Sequence, residues 1–302
     1  MLCSEPIRAE DHNRAAVRRP APFIVGVARS GKTLLRLMLD AHPLLAIPPE
    51  TNFIPRLVRA CGSAATPSAC FVQTLRSLHR WDDFHLNADE LQRRVELTQP
   101  FELGEALRAF YSLYAARFGK PRWGDKTPAY AEHMLAIERL LPEARFIHVL
   151  RDGRDVALSL RDVWFGPASI EEAATQWCER IQAARRQATG VGAYLEIRYE
   201  DLVRDTESVL RRVCEFIELP WSEGMLEYHT TASERLAELV ADVEVRGGLR
   251  TVRAEERRAK HAWTSRPPDG SRIGLWRTEM NTEARQRFQH VAGDLLVELG
   301  YA

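Results

Sequence analysis

The chain has 302 residues, 45% of them hydrophobic and 28% charged, which is typical of a globular protein with one large α/β domain or two smaller domains. Lysine and arginine together number 42, and so do aspartate and glutamate, so no overall charge excess favours nucleic acid or a membrane surface as partner. No window approaches the roughly 20 apolar residues of a membrane span.

The N-terminal segment, residues 1–20, is charged and has no apolar run of the kind that a signal peptide needs. We expect it to be a flexible lead-in to the folded part of the chain. The five cysteines are scattered and never spaced as C-x-x-C, which favours reduced thiols over a zinc site. These features predict a cytoplasmic protein, although a chain that had lost a targeting segment would look the same.

The first predicted unit is a strand, a loop, a helix and a second strand. "PFIVGV" (22–27) is almost wholly apolar and suits a strand buried on both faces of a parallel sheet. The apolar residues of "KTLLRLMLDAH" (32–42) follow helical spacing, and "LLAI" (44–47) is the next strand, ended by two prolines. This βαβ order predicts a right-handed crossover.

A helical insertion is predicted next, over about residues 53–118, with breaks at 62–68 and 82–90. We expect its loops to cover a substrate site. "RWGDK" (122–126) predicts a short strand, after which Thr127 as N-cap and Pro128 in the first turn open a helix.

The clearest central strand is "ARFIHVL" (144–150), which ends just before Arg151. The alternation of strands and helices around it predicts a three-layer α/β sandwich with a mostly parallel sheet, so that residues 21–302 form a single domain. The later predicted elements are helices at 153–164 and 169–188, a strand at 194–202, and helices at 206–219 and 282–299.

The loop after the first strand has the pattern of an anion-binding site, because Gly26 to Thr33 spell G-x-x-x-x-G-K-T. A tight loop between a strand and a helix points several backbone N–H groups at one spot, and the helix N-terminus adds partial positive charge. Ser30 and Thr33 add hydroxyl donors, and Arg29 and Lys32 add full charges.

That pattern alone indicates an ATP- or GTP-dependent phosphotransferase, which needs a carboxylate at a second strand end to hold Mg²⁺. The best second strand ends in Arg151, with Asp152 one position late and followed by Gly153 and Arg154. Arginine at this point favours a ligand with a further phosphate group over a metal ion.

Several segments together resemble the sulfotransferases that use 3′-phosphoadenosine 5′-phosphosulfate (PAPS). "GVARSGKTLL" is similar to their 5′-phosphosulfate loop, and "RFIHVLRDGRDVALSL" to their 3′-phosphate segment; "DKTP", "RYEDL" and "GLWR" match further landmarks in order. The stretch "RSGKTLLRLMLDAHPLLAIPPETNFIPRLV" and the final "LVELGY" resemble the tyrosylprotein sulfotransferases within that family. The resemblance implies a P-loop-type sulfotransferase fold and PAPS as co-substrate.

The same resemblance implies the residues that bind this nucleotide. For the 5′-phosphosulfate they are Arg29 with the amides of Ser30, Gly31, Lys32 and Thr33, and for the remainder of the nucleotide they are Arg151 and Ser159, eight positions apart, with Tyr199 of "RYEDL".

Catalytic roles are also implied. Glu50 matches the acid that acts as general base, and Lys126 matches the lysine that stabilises the transferring sulfuryl group together with Arg29. Thr264 or Ser265 corresponds to a late-loop serine. Because a sulfuryl group carries less charge than a phosphoryl group, these cations can replace Mg²⁺ and no metal is expected.

Three residues depart from the tyrosylprotein pattern. Lys32 stands where a threonine is usual, Pro49 replaces the first acid of an acid pair, and Asn52 replaces an arginine, which weakens the case for an acidic peptide as acceptor. From position alone, Glu50 could also be an acid at a helix start, and Lys126 a surface lysine.

The predicted function is therefore sulfuryl transfer to an acceptor hydroxyl, which could belong to a peptide tyrosine, a small molecule or a glycan. An ATP- and Mg²⁺-dependent kinase, with Lys32 on the transferred phosphate, and a nucleotide-binding regulatory protein are the alternatives. The oligomeric state is not readable from the sequence.

Overall fold

The computed structural model describes residues 18–62, 64–161, 163, 165–245 and 250–301. Most of the predicted lead-in, residues 1–17, lies outside this part of the chain. The described strands are β1 Ala21–Val25, β2 Leu45–Ala46, β3 Arg122–Trp123, β4 Asp125–Lys126, β5 Ala144–Leu150, β6 Tyr194–Arg198, β7 Val243–Val245 and β8 Arg250–Val252.

The helices follow the predicted order along the chain. Those described are α1 Lys32–Asp40, α2 Ile54–Cys61, α3 Pro67–Arg76, α4 Ala88–Glu96, α5 Leu103–Ala116, α6 Met134–Leu140, α7 Gly153–Arg161, α8 Ile170–Ala188, α9 Tyr199–Arg204, α10 Thr206–Phe216, α11 His229–Ala237, α12 Ala254–Ala259, α13 Trp276–Glu279 and α14 Thr282–Glu298.

The central sheet has the strand order β4-β1-β5-β6, and every pairing in it is parallel. β1 is buried along its whole length, with Phe23 and Val25 in one hydrophobic core and Ile24 in the core on the other face. Helices therefore cover both faces, as a continuous apolar strand requires. This confirms the predicted α/β fold with a mostly parallel sheet.

The strand predicted at 44–47 does not pair with β1. β2 pairs instead with β3, in parallel, and the chain passes Gly124 before β4 pairs with β1. The β3–β4 segment therefore lies between β1 and β2, which are the two strands of the predicted βαβ unit.

Two other predicted elements are wrong in detail. The strand expected over 194–202 ends at Arg198, because the chain turns into α9 at Tyr199. Thr127 is the N-cap residue and Pro128 lies in the first turn, as predicted, but the Thr127 side chain makes no capping hydrogen bond; its Oγ1 accepts instead from the backbone N–H of Thr51 at 3.0 Å. The turn that follows, Pro128–Glu132, is a 3₁₀ helix rather than an α-helix.

The predicted helical insertion comprises α2 to α5, with a 3₁₀ turn at Trp81–Phe84 in its second break. Its aromatic side chains pack edge-to-face, with the rings of Phe53 and Phe110 4.9 Å apart and those of Phe84 and Phe110 5.1 Å apart. This packing fixes the residue before the 3₁₀ turn, Arg80, beside the carboxyl ends of the sheet strands. Among the described residues, no helix is long and apolar enough to cross a membrane.

Candidate active site

The loop between β1 and α1 has the backbone of an anion cradle. Gly26 and Gly31 have φ values of +132° and +94°, and a Cβ on Gly31 would lie 2.3 Å from the ring of Tyr199. Only glycine meets both conditions at position 31. Arg29 also has a positive φ, 67°, a strained conformation that in proteins concentrates at functional sites.

The two cations of this loop take different positions. Arg29 donates from Nε to Ser159 Oγ at 2.9 Å, so its guanidinium is held against α7. Lys32 is 4% exposed, and its Nζ contacts the Val27 carbonyl and lies 3.2 Å from Ser30 Oγ. Burial and the nearby Lys126 lower the pKa of Lys32 to about 7.

Arg151 lies at the end of β5 and joins this loop to the late part of the chain. It donates to the carbonyls of Arg29 at 2.9 Å and Arg272 at 2.8 Å, and its guanidinium stacks 4.5 Å from the ring centroid of Tyr199. Its Nε is buried without a hydrogen-bond partner among the described residues. A buried donor of this kind favours an anionic ligand at this end of the site.

Glu50 and Lys126 form an ion pair, with Lys126 Nζ 2.6 Å from Glu50 Oε1. Arg80 approaches the other carboxylate oxygen at 3.3 Å. Burial acts to raise the pKa of Glu50, but Lys126 and Arg80 outweigh it and hold that pKa well below its usual range. Burial lowers the pKa of Lys126, and Glu50 opposes this effect.

A buried polar network behind this pair sets its position. Thr51, next to Glu50, donates from Oγ1 to Asp125 Oδ2 at 2.7 Å and lies 2.8 Å from Tyr130 Oη. Tyr111 Oη also donates to Asp125 Oδ2, at 2.9 Å. Because Asp125 adjoins Lys126 in β4, the network ties the Glu50 segment to the strand that carries Lys126. Burial raises the pKa of Asp125 to about 6.

The anion-binding loop, the Glu50–Lys126 pair and Arg151 all line one cavity of about 420 Å³. The residues that line this cavity lie up to more than two hundred positions apart in the sequence. Of the residues predicted from the sequence, those that line it are Arg29, Gly31, Lys32, Thr33, Glu50, Lys126, Arg151, Ser159, Tyr199 and Thr264.

Two predicted residues stand apart from this lining. Ser30 is buried beneath the loop, where its Oγ donates to the Val27 carbonyl at 2.8 Å. Ser265 is the last residue of a 3₁₀ turn and is not among the lining residues, whereas its neighbour Thr264 is. Of the two late-loop alternatives, the geometry therefore favours Thr264.

Among the lining residues that were not found from the sequence, Arg80 and His261 are the ones that act on the charge of Glu50. Arg80 lies in an insertion without a recognisable motif, and His261 lies in a late segment with no clear pattern. Burial and the nearby Lys126 lower the pKa of His261 to about 3, so this imidazole is neutral at pH 7. No sequence signal pointed to either residue, because only the tertiary fold brings them to Glu50.

The acids after β5 hold protein groups. Asp152 forms an ion pair with Arg154 at 2.8 Å, and Asp155 accepts from the N–H groups of Gly274 at 2.7 Å and Trp276 at 2.9 Å. Both carboxylates are thus engaged by groups of the protein itself. Among the described residues, no group of three or more His, Cys, Asp or Glu side chains is arranged to hold a metal ion.

A family model described as "Sulfotransferase family" matches residues 20–223, which is more than half of the chain. The chain belongs to the sulfotransferase family. The matched stretch of this sulfotransferase contains the anion-binding loop, Glu50, Lys126 and Arg151, and it ends before the late segment with His261 and Thr264.

Among curated relatives, protein-tyrosine sulfotransferase A of Caenorhabditis elegans is 30% identical over 232 residues, covering 74% of this chain and 55% of that protein. Protein-tyrosine sulfotransferase of Drosophila melanogaster is 29% identical over 236 residues, covering 75% and 43% respectively. The chain thus spans about half the length of these relatives.

Solved structures confirm the fold. The sulfotransferase domain of the Synechococcus PCC 7002 olefin synthase matches with a TM-score of 0.57 at 24% identity, over 90% of this chain and 94% of that one. The sulfotransferase domain of the curacin biosynthetic pathway matches with a TM-score of 0.58 at 20% identity, over 92% and 98%.

Proposed function

We propose that this sulfotransferase moves the sulfuryl group of PAPS to an acceptor hydroxyl by in-line displacement, with Glu50 as general base. One observation carries the proposal: the Glu50–Lys126 ion pair opens into the same cavity as the cations of the anion-binding loop and Arg151. A carboxylate for the acceptor proton and cations for the transferred group thus face one space, as such a reaction requires.

The donor end of the cavity fits the two anionic ends of PAPS. The amides of the loop and the guanidinium of Arg29 suit the 5′-phosphosulfate, since both stand at the N-terminus of α1. Arg151, with its unpartnered buried Nε, suits the 3′-phosphate, and the ring of Tyr199 braces its guanidinium.

At the acceptor end, Glu50 is ionised at neutral pH because Lys126 and Arg80 hold its pKa below the usual range. The carboxylate is therefore in the form that can accept a proton, and its strength as a base rises when negative charge on the transferring group offsets these two cations. Lys126 stands 2.6 Å from it and stabilises negative charge on the transferring group and the bridging oxygen, together with Arg29. As the hydroxyl oxygen bonds to sulfur, its proton passes to Glu50 and the phosphosulfate bridge breaks.

The hydroxyl of a tyrosine side chain is one acceptor that fits this chemistry, and relatives named protein-tyrosine sulfotransferases support it. A hydroxyl on a small molecule fits Glu50 equally well. The contacts of Asp152 with Arg154 and of Asp155 with backbone N–H groups weigh against a Mg²⁺-dependent phosphotransferase, because both carboxylates already hold protein groups.

The proposal is tested by thermal stabilisation with adenosine 3′,5′-bisphosphate (PAP) and with ADP, each in the presence of Mg²⁺ or of EDTA. PAP at 100 times its dissociation constant should stabilise the protein by about 2.7 kcal/mol whether or not Mg²⁺ is present. Stabilisation by ADP alone, and only with Mg²⁺, would indicate a phosphotransferase instead. Transfer of labelled sulfate from PAPS to an acceptor then tests turnover.

A further inference from the structure

The hairpin of β7 and β8 presents an apolar face to the cavity. Val243, Val245 and Val252 all line it, and Val243 pairs directly with Val252 across the two strands. Glu244 and Thr251 alternate with them and are exposed on the opposite face. On the cavity side, Val245 pairs with Arg250, which is exposed and forms an ion pair with Glu256 at 2.8 Å. The hairpin therefore presents three valines to the cavity, and Glu244 and Thr251 to solvent.

Contacts around Asp83 place this hairpin on the Glu50 side of the cavity. Arg257, in the helix after the hairpin, pairs with Asp83 Oδ2 at 2.5 Å, and the N–H of Ala241, just before the hairpin, donates to Asp83 Oδ1 at 2.9 Å. Asp83 follows Arg80 by three residues, and Arg80 contacts Glu50. Both ends of the hairpin are thus tied to the segment that touches the general base.

Further apolar residues extend the valine face of the hairpin into an apolar wall of the cavity. The ring of Phe165 lies 4.5 Å from Lys260 Nζ and also lines the cavity. The lining residues with apolar side chains near the Glu50 segment, α11 and the hairpin are Pro49, Pro128, Leu236, Leu239, Val243, Val245 and Val252.

The arginines that line this side have acceptors within the protein. Arg80 pairs with Glu50, and Arg257 pairs with Asp83. Arg36 is 2% exposed; its Nε donates to the Ile47 carbonyl at 2.9 Å, and its Nη2 has no hydrogen-bond partner among the described residues but lies 3.6 Å from Glu238 Oε2. A carboxylate-rich acceptor would have to take these guanidinium groups from their present partners, which is costly for buried pairs.

From this wall and these engaged arginines we infer that the acceptor is a compact hydroxyl compound with an uncharged apolar body, rather than an acidic peptide. The inference rests on the proposed sulfuryl transfer and names its substrate class. The apolar body packs against the valine face of the hairpin, which places its hydroxyl toward Glu50. An apolar pocket discriminates mainly through the area it removes from water.

The test measures sulfate transfer from PAPS to two probes, 2-naphthol and a short peptide with aspartates on both sides of a tyrosine. We expect kcat/KM for 2-naphthol to exceed that for the peptide by at least about 10-fold. Val245→Asn, which adds a polar amide to the wall, should raise KM for 2-naphthol about 10-fold and leave the Kd for PAP unchanged. Thr251→Asn is the matched control on the other face and should leave both constants unchanged.

The outcomes separate this inference from the function on which it rests. Equal effects of Val245→Asn and Thr251→Asn on KM, or a higher kcat/KM for the peptide, would overturn the inference of an apolar acceptor. If the wild-type protein still bound PAP, the proposed function would be unaffected by that result. Failure of wild-type protein to bind PAP would overturn the proposed function and the inference together.

Discussion

Replacing Glu50 by glutamine tests the proposed base with little change of shape. Glu50 Oε1 accepts from Lys126 at 2.6 Å, and a glutamine carbonyl can accept the same hydrogen bond. The amide keeps the side-chain length but has neither the charge nor the basicity of the carboxylate. The variant therefore removes proton transfer while it keeps the contact that orients Lys126.

The expected loss of kcat is about 10²–10⁴-fold, the usual contribution of a positioned general base. Stability should fall much less than for a fully buried pair, because the Glu50 side chain is 28% exposed and the hydrogen bond to Lys126 is retained. We expect a loss of about 1–2 kcal/mol, which lowers Tm by about 2–8 °C. Removal of the negative charge leaves PAP binding as tight as before or tighter.

The assay combines initial rates of sulfate transfer with the Kd for PAP from calorimetry. Glu244→Gln is the matched control, because Glu244 is exposed on the face of β7 away from the cavity. We expect wild-type kcat and an unchanged Kd for the control, and for Glu50→Gln a Kd equal to that of the wild type or lower. A Glu50→Gln protein that binds PAP normally and keeps kcat within about 3-fold of wild type would remove Glu50 from the chemistry.

Three further predictions concern the anion-binding loop and the network behind the base. Arg29→Ala should lower kcat by about 10²–10³-fold, and Lys32→Thr should lower it by less than about 10-fold; the reverse order would contradict the assignment of Arg29. Because the pKa of Lys32 is lowered to about 7, its side chain loses its positive charge between pH 6 and 8. Calorimetry over this range should show that the affinity of the wild type for PAP falls with rising pH more steeply than that of Lys32→Thr. Parallel pH profiles for the two proteins would refute this. Thr51→Val removes a hydrogen-bond donor from the buried Asp125 carboxylate, and we expect it to lower the free energy of unfolding by about 1–3 kcal/mol. It should also lower kcat, because Glu50 is then held less firmly, without changing the Kd for PAP. A normal kcat would show that the network does not position the base.

The central strands were predictable because strands buried on both faces have continuous apolar sequences. The strand predicted at 144–150 has the observed bounds, since all its residues except the half-buried Arg145 are buried between two helical layers. Short strands give a weaker sequence signal. β2 and β3 have two residues each, and their pairing with each other depends on the path of the chain, which local periodicity does not record.

The loops of the site were predictable wherever chemistry fixed residue types at short spacing. The anion-binding loop, Arg151 and Ser159 belong to such segments, and the structure brings Arg29 within 2.9 Å of Ser159. Arg80 and His261 were missed, because each reaches Glu50 through packing of segments that are far apart in sequence. The choice between Thr264 and Ser265 likewise needed the geometry of the 3₁₀ turn.

The kinase-like pattern of the loop and the sulfotransferase fold are reconciled by the charge balance of the cavity. Arg29, Lys32, Lys126 and Arg151 line it, and Glu50 is the acid with which Lys126 pairs. Crowding and burial lower the pKa values of Arg29, Lys32 and Lys126, so the cations of the free protein are held at an electrostatic cost. A ligand with several negative charges would offset that cost. Under the proposed function, Lys32 contributes to an anion site, and the G-K-T pattern reflects the geometry of the loop without identifying the group that is transferred.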